Sequence, residues 1–87
     1  MEALDVSVVS AQSEVWQGQA EQVIARTVEG EIGILANHEP VLAILAEGEV
    51  RITTADGEKL TVNAEDGFLS VDHNTVTIVA GQAELVA

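Results

Sequence analysis

Val50-Arg51-Ile52-Thr53-Thr54-Ala55-Asp56-Gly57-Glu58-Lys59-Leu60-Thr61-Val62 holds two alternating runs joined by a turn. Val50 and Ile52 alternate with Arg51 and Thr53, and Leu60 and Val62 alternate with Thr61 and Asn63. Alternation at period two places the apolar side chains on one face of a strand. Asp56-Gly57 lies between the runs and is a strong hairpin signal, because both residue types accept the backbone of a tight turn. The stretch predicts two antiparallel strands, Val50–Thr54 and Lys59–Val62.

The same pattern extends outward in both directions. Leu4, Val6 and Val8 alternate with Asp5 and Ser7, and Val76, Ile78 and Ala80 alternate with Thr75 and Thr77. Asp72-His73-Asn74 reads as the tip of a second hairpin, joining Phe68–Val71 to Thr75–Ala80. Glu29-Gly30, Glu47-Gly48 and Asp66-Gly67 mark further corners. Val41–Ala46 is apolar throughout, so periodicity alone leaves it open between a buried strand and a helical turn. Ala83–Val86 reads as a closing strand. No helical stripe runs for ten or more residues. The chain is therefore expected to be all-β: about ten short strands in a two-sheet β-sandwich or flattened barrel. One domain is expected over residues 1–87, with no linker or internal repeat.

A chain of 87 residues is near the small end of what folds on a hydrophobic core alone. It hides only about 60% of its unfolded surface, so regular packing is required. An apolar fraction of 47% supplies that core despite the charge. There is no cysteine, hence no disulfide framework and no thiolate chemistry. No apolar run approaches the roughly 20 residues that span a bilayer, and no secretory leader is visible at the N-terminus. Fifteen carboxylates against Arg26, Arg51 and Lys59 give a net charge of −12. Such a surface repels phosphate backbones and anionic headgroups, which argues against nucleic acid and against direct lipid insertion.

Gly30–Pro40 is the stretch that composition does not explain. Gly33 inside an apolar run suggests a bulge or a close backbone approach. Asn37 tolerates positive φ, and Pro40 holds Glu39 away from the helical region. A strand ending in a shaped polar loop is a common place for function. His38 is the candidate for chemistry, yet no serine, cysteine or second histidine accompanies it in a triad-like pattern. Glu29, Glu31 and Glu39 cluster nearby without the acidic spacing of a calcium loop. His73 reads as a solvated turn residue. Trp16 and Phe68 read as core fillers, although aromatics also anchor interfaces. The glycine phrases lack the lysine and helix of a phosphate cradle, so no small-molecule substrate is argued from them. Catalytic residues, cofactors and metal ligands are all expected to be none.

The phrase Gly30-Glu31-Ile32-Gly33-Ile34-Leu35, a short turn, His38, one residue and Pro40 resembles the epsilon chain of bacterial F-type ATP synthases. Val8-Val9-Ser10, Val15-Trp16-Gln17-Gly18, Gly48–Ile52, Gly67–Val71 and Val76–Ala80 are similar in order and spacing. The resemblance covers about Leu4 to Leu85. Two departures stand out: Ala36-Asn37 replaces the usual proline-glycine, and Asp66 replaces a glycine before Gly67. The resemblance implies an N-terminal β-sandwich with no active site, a strand over Val41–Ala46, and partners in the gamma chain and the c-subunit ring. It implies a place on the cytoplasmic face of a bacterial plasma membrane, peripheral through the complex. The position matching Glu31 faces the polar loops of the ring. Together with Gly33, Ala36, Asn37, His38, Glu39 and Pro40, it makes up the expected partner contact. Family members continue into C-terminal helices credited with inhibiting hydrolysis, so a chain ending at Ala87 is expected to lack that arm. The alternative reading is an autonomous acidic binding or carrier sandwich, whose modified lysine would be Lys59.

Overall fold

A computed structural model describes residues 3–86. Met1 and Ala87, the expected limits of the domain, lie outside the described residues. Six strands make up the described chain: β1 Leu4–Ser10, β2 Glu14–Thr27, β3 Gly30–Leu35, β4 Val41–Thr54, β5 Lys59–Asp72 and β6 Thr75–Leu85. Their order is β1-β6-β5-β4-β2-β3, and β1 also pairs with β2. That last pairing closes five strands into a flattened barrel, with β3 added beside β2. β1 and β6 run parallel; all other pairs are antiparallel.

Both expected hairpins form. Val50 faces Val62 and Thr53 faces Lys59 across the Asp56-Gly57 turn. At the second tip, His73 and Asn74 have φ of 50° and 61°. Two consecutive positive φ values are the mark of a type I′ turn, whose twist matches that of the flanking strands. Asp72 therefore pairs with Thr75 directly across the tip.

The expected ten short strands are six continuous ones, and the difference has a physical reason. Inward-facing residues in β5 are Val62 and Ala64, then Leu69 and Val71. In β4 they are Leu45, then Val50 and Ile52. β2 changes phase in the same way between Ala20 and Val23, and β6 between Ala80 and Ala83. Each of these long strands crosses from one sheet to the other and turns its inner face over once. Counted by phase, the six strands contain about ten segments. Val41–Ala46, open in the sequence, is the first segment of β4.

The crossing line runs through Glu47-Gly48, Glu65-Asp66-Gly67 and Gly81. Gly67 packs flat against β6: a Cβ there would overlap the Val79 carbonyl oxygen and lie 2.5 Å from Ala80 Cα. Asp66 takes φ of 59°, a left-handed backbone that costs a side-chain-bearing residue about 1 kcal/mol. Asp66→Gly is therefore expected to raise stability by up to about 1 kcal/mol, read as a later denaturant midpoint with unchanged slope.

The core is aliphatic. Leu4, Val6, Val8, Val23, Ile34, Ile52, Leu69 and Ile78 are fully or almost fully buried. Trp16 is half-buried against this core, with its ring over Gly18. Phe68 is a correction: it points outward and is 41% exposed. Leu69 and Val71 face Ile78 and Val76 across the hairpin, and that register turns their neighbour Phe68 to the other face.

Candidate interaction site

The expected contact residues begin on β3. Ile34 packs into the core and Ile32 against it, so Glu31, Gly33 and Leu35 face outward. β2 holds Arg26 opposite Glu31 and Ile24 opposite Gly33. One strand further on, Arg51 Nη2 donates to Glu31 Oε2 at 3.0 Å. Both side chains are more than half exposed, so the ion pair contributes about 0.5 kcal/mol or less. Its consequence is orientation, since it holds the carboxylate on the outer surface.

Gly33 is a second correction. It lies in regular pairing with Ile24, and a Cβ added there meets nothing within 4 Å. Neither a bulge nor a close approach within the chain explains the glycine. Gly33→Ala is expected to leave stability unchanged or raise it by about 0.5 kcal/mol. Thermal unfolding of the variant checks this.

After Leu35 the chain reverses. His38 N–H donates to the Leu35 carbonyl at 3.2 Å, and Asn37 has φ of 68°. Positive φ at the third position of such a turn is the type II pattern. Ala36-Asn37 thus makes the turn that a proline-glycine pair would favour. His38 Nδ1 sits 2.8 Å from the Glu39 carbonyl oxygen and so carries the proton in this contact. Asn37 N–H donates to Asn74 Oδ1 at 2.6 Å, tying this turn to the β5–β6 tip.

The seven expected residues do not form one pocket. Glu31 lies near the start of β3 and Asn37 in the turn beyond its end, with about 13 Å of strand from Glu31 to Leu35 at 3.3 Å per residue. Asn37, His38 and Pro40 line a shallow depression with Asp72, His73 and Asn74. Ala36 is half-buried in the turn, and Glu39 is exposed beside His38. The structure brings the two histidine-bearing turns side by side, which the sequence reading did not anticipate. His73 is solvated as expected, with its ring 93% exposed and Nδ1 2.7 Å from Asp72 Oδ1. Among the described residues no group of three or more His, Asp or Glu side chains is arranged to hold a metal ion.

An apolar row was missed. Val9 pairs with Val79, Val79 with Phe68, and Phe68 with Ile44. Val28 N–H reaches the Ile44 carbonyl at 3.0 Å and extends the line. At one strand spacing per step, the row from Val9 to Ile44 runs about 14 Å. Ile44 is 63% exposed and its neighbour Leu42 76%. The adjoining row, Ser7, Thr77, Ser70 and Leu42, carries no charge either. By contrast, Arg26, Arg51 and Lys59 all stand exposed on the other sheet, the two arginines beside Glu31 and Lys59 in the row of Leu35. One outer face thus carries an uncharged apolar patch, bordered in the next row by Asp5 and Asp72, and the other outer face is charged. Such a contiguous apolar face on a small acidic chain is the mark of a protein-binding surface.

Comparison with known proteins places these features in a family. The family described as ATP synthase, Delta/Epsilon chain, beta-sandwich domain matches residues 3–86. The ATP synthase epsilon chain of Micrococcus luteus is 51% identical over 85 residues, covering 98% of this chain and 93% of its own length. That of Rhodococcus opacus is 49% identical over 86 residues, covering 98% and 70%. Among solved structures, a chain of the Euglena gracilis mitochondrial ATP synthase, from its OSCP/F1/c-ring assembly, matches with a TM-score of 0.89 and 26% identity. The match covers 95% of this chain and 53% of that one, so this chain spans about half of its length.

Proposed function

The chain belongs to the β-sandwich family of ATP synthase delta and epsilon chains, and from that premise we propose that it is the epsilon subunit of the central stalk, bound to the gamma chain and the c-subunit ring. Its role is mechanical: it helps couple proton-driven rotation to ATP synthesis elsewhere in the complex. It is a non-catalytic subunit and binds no substrate of its own. It is peripheral to the membrane through the synthase, on the cytoplasmic face of a bacterial plasma membrane.

The observation that carries this reading is the apolar row from Val9 to Ile44, with Val28 and Leu42 beside it. In water that surface is unfavourable, and covering it yields about 25 cal/mol for each Å² buried. We assign it to the gamma chain. The edge from Glu31 to Pro40 offers exposed polar groups instead, and these suit the polar loops of the ring. The net charge of −12 disfavours a second copy of the same chain as occupant.

Glu31→Lys and His38→Ala are expected to weaken association with a complex of gamma chain and c ring, each by about 3- to 30-fold. Changes at Glu58 and Lys59, in ordinary turn surroundings, should alter it less than twofold. Both sets should fold, since all four side chains lie outside the core. Loss at Glu58 and Lys59 with normal binding by the loop variants would reverse the assignment.

A further inference from the structure

Asn37 N–H is a donor that its own turn leaves open. The turn closes through His38 N–H on the Leu35 carbonyl, and Asn37 N–H points away from that bond. Its acceptor is Asn74 Oδ1 at 2.6 Å, 37 residues further along the chain. Asn74 is itself well anchored. It sits at φ 61° in the two-residue β5–β6 tip, between the paired residues Asp72 and Thr75. Its carbonyl accepts from Asp5 N–H at 2.8 Å, which ties the tip to β1 as well. A hairpin tied to β1 therefore reaches across to hold a turn that is closed by a single backbone hydrogen bond, His38 N–H to the Leu35 carbonyl.

We propose that Asn74 is the positioning residue of the Leu35–Pro40 loop, fixing it in the conformation that meets a partner. The proposal rests on the assignment of that loop to partner binding. Asparagine meets two requirements at once: it tolerates the left-handed backbone of the tip, and its amide oxygen accepts from Asn37. Glycine meets only the first. Without the acceptor the loop is free to leave its bound shape, and binding then includes the cost of ordering it.

The test uses the whole chain with Asn74→Gly, which keeps the turn and removes the acceptor. Asn74→Asp restores an acceptor at the same place. Hydrogen exchange at the Asn37 amide is read beside association with gamma chain and c ring. For Asn74→Gly, exchange at Asn37 should quicken about 5- to 10-fold, with protection in β5 and β6 unchanged. Association should weaken about 10-fold. Asn74→Asp should return both toward the wild-type values. Unchanged exchange at Asn37 overturns the proposal. So does faster exchange with undiminished association, or loss of protection spread through β1, β5 and β6, which marks a turn-forming role instead. A wild-type chain that fails to associate refutes the functional assignment, while exchange at Asn37 still decides whether Asn74 holds the loop.

Discussion

Gly67→Ala is expected to cost about 4 kcal/mol or more, a third or more of the stability available to a chain of this length. The alanine methyl would overlap the Val79 carbonyl oxygen and press on Ala80 Cα at 2.5 Å and on the Val79 carbonyl carbon at 2.7 Å. All three are backbone atoms of β6, so no rotamer change relieves the contact. Overfilling a core that side chains can relieve costs about 1–3 kcal/mol, and a backbone obstacle costs more. A domain of this length has roughly 4–13 kcal/mol to lose. The change also falls on the line where β4, β5 and β6 cross between sheets, so separating β5 from β6 there breaks both. Denaturant titration and far-ultraviolet circular dichroism read the effect. A cooperative transition within 1 kcal/mol of wild type would show that the strands part freely at the crossing. Gly33→Ala is the matched control, because the same methyl there meets open space.

Ile44→Asp should produce the opposite combination: a folded domain that no longer binds the stalk. Ile44 is 63% exposed and points away from the core, so the carboxylate stays in water in the free chain. Surface changes of that kind usually shift stability by no more than about 0.5 kcal/mol. In the complex the same carboxylate would be buried against apolar surface, beside Phe68 and Leu42. Loss of an interface anchor together with desolvation of a charge should cost about 3 kcal/mol, on the order of 100-fold in affinity. Thr61→Asp, on the opposite sheet and paired with Arg51, should bind nearly as wild type. Normal binding by Ile44→Asp would remove the apolar row from the interface and leave the Glu31–Pro40 edge as the contact.

Much of this architecture is legible in the residues. Asp56-Gly57 sets one hairpin, and Asp72-His73-Asn74 sets the other. Alternation at Leu4, Val6 and Val8 and at Val76, Ile78 and Ala80 already points those side chains inward. The phase changes are harder to read. A run such as Val41–Ala46 is apolar on both faces, so its pattern does not say that Leu42 and Ile44 face water. Phe68 was misread because large residues are scarce and a core position suited it. The signal that corrects it was present. A two-residue tip fixes Val71 opposite Val76 and Leu69 opposite Ile78, which leaves Phe68 opposite Val79 on the outside.

The candidate site was legible only in its local parts. Positive φ at Asn37 follows from residue type and turn position. The Glu31–Arg51 ion pair needs the register of β3 on β2 and of β2 on β4, which short-range pattern does not supply. The link from Asn37 to Asn74 needs the packing of two turns distant in sequence. Gly33 shows the reverse error: a glycine read as a demand of the fold is not required by it.

Stalk membership is the central claim, and direct binding tests it best. The chain is titrated with a purified complex of gamma chain and c ring from its own source, and association is followed by sedimentation velocity. The account predicts saturable binding by the wild-type chain. It further predicts strong loss for Ile44→Asp, a smaller loss for Glu31→Lys and near-normal binding for Thr61→Asp. A folded wild-type chain that sediments apart from the complex at every concentration would contradict it.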